Sequence, residues 1–204
     1  MNKKDVKKFL NKFWFIVWKD DSFKGWLISV IFIFIVIKFI FFPSLSFVTG
    51  TQLPLAIVES CSMYHSGNLL SNYENWWQNN QAKYFQFRIT KEQFDNFIFR
   101  KGFNKGDILF IVGTKPENIE IGDIIIFNSG VHSTPIIHRV IEIKKENNQY
   151  IFSTMGDNNP TQISFEKSIN ENQLVGRAVF KIAPYLGWGK LIFFQLNQNG
   201  NWFC

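Results

Sequence analysis

The chain has 204 residues, of which 46% are apolar, 18% aromatic and 19% charged, a composition that excludes disordered, collagenous and highly charged classes. That length holds one globular domain of ordinary size plus a small addition, with a core that needs no disulfides. The formal net charge of +6 is unevenly placed: residues 1–25 hold seven Lys against three Asp, whereas fourteen Lys and Arg face thirteen Asp and Glu from residue 39 onward, which excludes a broad nucleic-acid face.

In residues 1–25, Phe9, Leu10, Phe13, Ile16 and Val17 recur at helical spacing with Lys7, Lys8, Lys12 and Lys19 between them. This predicts an amphipathic helix on the inner leaflet of a membrane, where anionic lipid favours the lysines. Trp26 to Phe42 are apolar on all faces apart from Ser29 and Lys38, and the run extends a turn past Pro43. Residues 26–49 are therefore expected to span the membrane once, with the Lys-rich side cytoplasmic and everything from residue 50 to 204 outside.

Beyond residue 50 the period changes. Leu55-Ala56-Ile57-Val58, Ile108 to Val112, Ile124 to Phe127, Ile136 to Ile143, Tyr150 to Phe152 and Val175 to Ile182 are short β-branched and aromatic runs between Gly- and Asn-rich turns. They predict a mainly antiparallel sheet domain. Gly106-Asp107-Ile108 and Gly122-Asp123-Ile124 each open one such run as a turn entering a buried strand. Residues 64–104 differ, with Trp76, Trp77, Tyr84, Phe94 and Phe97 set among polar residues, and form an insertion between two strands. Thr90 and Gln93 form a capping box within it. Its aromatic side chains fit either the outer leaflet or a small satellite core. Cys61 and Cys204 form no CxxC pattern, so neither a disulfide framework nor a zinc site is indicated.

Three residues carry candidate chemistry: Ser62 after the first strand, His138 inside an apolar strand, and Asp157 in Gly156-Asp157-Asn158-Asn159. A hydroxyl, an imidazole and a carboxylate are the groups that peptide-bond hydrolysis at neutral pH needs. His65 and His132 are rival bases, but neither sits inside an apolar strand that would hold a ring rigidly.

The ordered set Ser60-Cys61-Ser62-Met63, two Gly-Asp-Ile turns, Ile137-His138-Arg139-Val140, Gly-Asp-Asn-Asn, Val-Gly-Arg and Pro-Tyr-Leu-Gly-Trp resembles the type I signal peptidase family, over about residues 26 to 193 apart from the insertion. The resemblance is to the archaeal and endoplasmic-reticulum branch, because the position of the bacterial base lysine holds His138. It implies a partly barrel-like sheet domain on one transmembrane helix and a serine endopeptidase that cleaves signal peptides from exported preproteins. Ser62 is then the nucleophile, His138 the general base, and the Ser60 hydroxyl with the Ser62 backbone N–H the oxyanion hole. The position that holds a second acid in many members is Ile163 here. Asp157 is accordingly the expected third member, with Glu166 and a Ser62/His138 dyad as alternatives. The substrate strand pairs beside Leu55, Ala56, Ile57 and Val58. Two departures are Cys61 between the paired serines, where Gly is usual, and an insertion much longer than the typical connection. No cofactor or metal is implied. The implied partners are preproteins, membrane lipid and the translocation machinery, at the cell membrane or, in a eukaryote, that of the endoplasmic reticulum. A tethered β-domain that binds extended peptides without cleaving them is the alternative.

Overall fold

Lys19 to Asp21 interrupt the first apolar stretch, and Ser22 caps the next helix by accepting a hydrogen bond from the Gly25 N–H (3.1 Å). In the computed structural model, which describes residues 3–66, 73–195 and 204, two helices flank this cap. Helix α1 covers Lys3–Trp18 and helix α2 Phe23–Thr49. With 27 residues and a mean hydropathy of 2.6, α2 is long and apolar enough to cross a membrane. Pro43 lacks the N–H that an α-helix needs at that point. The chain accommodates it with a π-helical turn over Ile37–Phe41, closed by the Phe42 N–H on the Ile37 carbonyl. Helix α1 turns part of its apolar face onto α2: Phe13 meets Phe32 edge to face, and the Ser29 hydroxyl donates to the Val17 carbonyl (2.7 Å). Phe9, Leu10 and Trp14 stay exposed.

Residues 49–204 form a second compact unit, built on one seven-stranded sheet that curls into a half-barrel. Its strands are β1 (Leu55–Ile57), β2 (Ile108–Val112), β3 (Ile124–Phe127), β4 (Ile136–Glu146), β5 (Gln149–Met155), β6 (Ile169–Asn170) and β7 (Leu174–Ala183). The order β1-β2-β7-β3-β4-β5-β6 is antiparallel throughout, so the expected sheet class holds. Ile124 to Phe127 are buried on both faces, which explains an unbroken apolar run where one solvated face would demand alternation. Leu109, Ile111, Ile126 and Ala178 are buried with Met63 and Phe103 in one core cluster, while Ile125, Phe127, Val140 and Phe152 fill a second.

The two Gly-Asp-Ile motifs are built alike. Gly106 and Gly122 have φ of +87° and +97°, and a Cβ there would fall 2.3 Å from the Trp188 ring and 2.2 Å from the Phe97 ring. The following aspartates close their turns: Asp107 accepts the Asn104 N–H and Asp123 the Glu120 N–H, at 2.8 and 2.9 Å. Each also reaches across to β7, Asp107 to Lys181 (2.9 Å) and Asp123 to Arg177 (3.0 Å). The sequence Pro-Tyr-Leu-Gly-Trp folds back on the first turn, where the Trp188 indole N–H donates to the Lys105 carbonyl (3.1 Å). Helix α5 (Trp188–Gln195) begins there.

The described residues of the 64–104 stretch build a small satellite core against the sheet. Helices α3 (Tyr73–Phe85) and α4 (Lys91–Asp95) bury Trp76, Trp77, Tyr84 and Phe94 together with Ile141 and Met155 of the sheet. Thr90 and Gln93 make both halves of the capping box that starts α4. Residues 67–72 of this stretch lie outside the described residues.

Candidate active site

Strand alternation decides which way the residues of β4 point. Ile125 of β3 pairs with His138 and Ile124 with Arg139, so these neighbours face opposite sides of the sheet. His138 turns toward the loop after β1, where its Nε2 lies 2.8 Å from Ser62 Oγ. Its Nδ1 meets Glu166 Oε1 in a short contact. Glu166 closes the short helical turn Ser164–Glu166, is fully buried, and accepts the Ile163 N–H on its other oxygen (2.7 Å). A carboxylate on Nδ1 fixes the proton there, leaving Nε2 as the acceptor for the Ser62 hydroxyl. Ser60 Oγ stands 3.0 Å from Ser62 Oγ, and both serines are solvent-accessible.

Asp157 is elsewhere. Its carboxylate lies in a buried cluster behind the nucleophile loop, paired with the Arg139 guanidinium (2.9 and 2.7 Å) and bonded by His65 Nε2 (2.9 Å) and the Tyr84 hydroxyl (2.8 Å). The expectation that Asp157 orients His138 is therefore corrected to Glu166. The physical reason is the same alternation: Arg139, one residue after His138, points to the other face and takes Asp157 as its counter-ion. Burial opposes ionisation of Asp157, but the Arg139 charge and the N–H bonds from His65 and Arg139 outweigh it and hold the carboxyl below its ordinary range. Burial pulls His65 down from 6.5, and the Asp157 bond offsets only part of that, so its ring is neutral with Nε2–H donating. Its Nδ1 is buried without a hydrogen-bond partner among the described residues, and its ring stacks on Trp76 at 3.4 Å. His132 lies in an exposed loop at the rim of the cleft.

A cleft of about 540 Å³ opens in front of Ser62 and His138. One wall is β1 with Val58 to Ser60, and the other is His132 and Thr134 to Ile137. Among the described residues β1 is the terminal strand of the sheet, with one edge paired to β2. Leu55, Ala56, Ile57 and Val58 all border the cleft, so the residues expected to hold an extended peptide and the serine–histidine pair share one cavity.

No protein-family model matches the chain. It is 32% identical over 96 residues to a signal peptidase complex catalytic subunit of Homo sapiens, covering 44% of this chain and 50% of that protein. It is 29% identical over 177 residues to the signal peptidase complex catalytic subunit of Schizosaccharomyces pombe, covering 81% of this chain and 82% of the relative. The chain is similar to signal peptidase catalytic subunits. It spans about half the length of the human relative and of a Yarrowia lipolytica one, which is 28% identical over 92 residues.

By sequence Glu166 ranks only as an alternative to Asp157, because it lies nine residues further on in a plain Ser-Phe-Glu-Lys stretch and only folding shows that its turn returns under β4. Cys61 and Cys204 form a disulfide with Cα atoms 5.5 Å apart, correcting the reading that no disulfide is indicated. Across 143 residues no spacing motif announces such a pair.

Proposed function

We propose that the chain is a membrane-anchored serine endopeptidase that removes signal peptides from exported preproteins. The observation that carries this reading is the unbroken line from Glu166 through His138 to Ser62 at the floor of the cleft. In this mechanism Ser62 Oγ attacks the scissile carbonyl as His138 Nε2 takes its proton, and Glu166 holds the tautomer and stabilises the imidazolium. The oxyanion receives the Ser62 backbone N–H and the Ser60 hydroxyl. His138 then protonates the leaving amine as the C–N bond breaks, and water, deprotonated by His138, hydrolyses the acyl ester on Ser62. The substrate lies extended along the edge of β1 that faces away from β2, by main-chain pairing of the kind that gives affinity without sequence demand.

The seven lysines before residue 26 favour a cytoplasmic N-terminus, with the sheet domain on the opposite side. A disulfide beside the nucleophile supports the same side, since such bonds persist in oxidising compartments. The relatives are named as subunits of a complex, which supports companion subunits here as well. The test is processing of a signal-peptide-bearing preprotein by the full chain in detergent or vesicles. Ser62→Ala and His138→Ala should each lower turnover by about 10⁴- to 10⁶-fold. Processing unchanged in Ser62→Ala overturns the proposal in favour of a domain that binds extended peptides without cleaving them.

A further inference from the structure

The loop that carries Ser62 is gripped from behind by the Gly156–Asn159 turn. The Asn158 backbone N–H donates to the Ser62 carbonyl (2.7 Å), and the Asn158 side-chain amide donates to the Cys61 carbonyl (3.0 Å). The far side of the same turn is held by a residue of the insertion. Lys83, half-buried on α3, donates to the Asp157 carbonyl (2.5 Å), the Asn159 carbonyl (3.1 Å) and Asn80 Oδ1 (2.8 Å). An ammonium has three N–H donors, and all three are engaged.

The Asp157 carbonyl and the Asn158 N–H belong to one peptide unit. Its oxygen faces Lys83 and its N–H faces Ser62, as a trans peptide requires. A cation on the oxygen polarises the unit, which strengthens the bond its N–H makes to Ser62, and rotation of that peptide would break both contacts at once. The Lys83 ammonium sits 5.8 Å from the Trp76 ring and 5.5 Å from the Tyr84 ring, which limits the water that could screen it.

We infer that Lys83 is a positioning residue for the reaction at Ser62: it fixes the Asp157–Asn158 peptide and through it the main chain of the nucleophile. This gives the insertion a part in turnover. The inference rests on the reading of Ser62 as nucleophile, and its test separates the two.

In preprotein processing by the full chain in detergent, Lys83→Met should lower kcat by about 10- to 100-fold, because a nucleophile displaced by less than an ångström loses alignment with the carbonyl. KM should stay within about twofold, since Lys83 itself does not line the cleft and β1 and Thr134 to Ile137, which do, make no contact with it through this bond network. In Lys83→Ala, added ethylammonium should restore part of kcat by occupying the vacated site. A folded Lys83→Met with native kcat, or with a change confined to KM, overturns the inference. If Lys83→Met does not fold, Lys83→Gln takes its place: its amide cannot reach both carbonyls, so a reduced kcat at native KM supports the inference and native kcat overturns it. Ser62→Ala is the separate arm. Processing retained there overturns the serine peptidase reading itself, whereas loss there with native kcat in Lys83→Met overturns only the inference.

Discussion

Two buried carboxylates flank β4, and they do different work because their partners differ. Glu166 meets an imidazole and one backbone N–H, whereas Asp157 meets a guanidinium, a second imidazole and a phenol. Glu166→Gln keeps the shape but lets His138 take the wrong tautomer. Preprotein turnover should fall by about 10²- to 10⁴-fold while thermal melting stays near native. Asp157→Asn should do the reverse of a clean catalytic loss, because it leaves Arg139 buried without a counter-ion. A destabilisation of about 3–5 kcal/mol is expected, read as a lowered denaturation midpoint. If Glu166→Gln turned over at the native rate, the third position of the mechanism would have to be reassigned.

His65 makes the same cluster sensitive to acid. Its folded pKa lies below the unfolded 6.5, so near that value the unfolded chain binds a proton that the folded chain refuses. Its share of stability is complete above pH 6.5 and is lost as pH falls through the depressed folded value. Asp157, also depressed, acts in the same sense below its unfolded 3.8. The melting temperature should therefore fall between pH 7 and 5, and His65→Gln should flatten that slope. An unchanged slope in the variant would remove His65 as its source.

At the scale of elements, the sequence made legible whatever depends on local pattern. The runs at 108–112 and 124–127 and the Thr90 cap needed only side-chain period and turn chemistry, and each lies where expected. Ser62 and His138 are each weak signals alone, and it is their combination in one ordered set of motifs that singles them out. Strand β6, two residues long, has no period to detect, and Glu166 sits on the short turn just before it. Choosing between Asp157 and Glu166 depends on which face Arg139 presents, a fact of sheet pairing rather than of composition. The insertion showed its aromatic character plainly. That its rings would turn inward onto Ile141 and Met155 required the sheet to be there first.

At the scale of the whole molecule, the disulfide joins Cys204 to the residue between Ser60 and Ser62. Closing so long a loop restricts the unfolded chain, and Cys204→Ser should cost about 2–4 kcal/mol of stability, read as a lowered thermal midpoint without reductant. Addition of a thiol reductant should lower the native midpoint and leave that of the variant unmoved. Equal midpoints for the two proteins under oxidising conditions would show that the bond does not contribute.

The opposed directions of His138 and Arg139 have a consequence for how the chain tolerates change. A slip of β4 by one position against β3 would exchange the two side chains, setting a permanent cation against the serine and an imidazole against Asp157. Neither could substitute for the other, because a guanidinium cannot accept a proton and a neutral ring cannot balance a buried carboxylate. A chain that pairs this strand wrongly loses the imidazole beside Ser62 and the buried Arg139–Asp157 pair together, so a misaligned fold would lack both the proposed base and the ion pair that stabilises its interior.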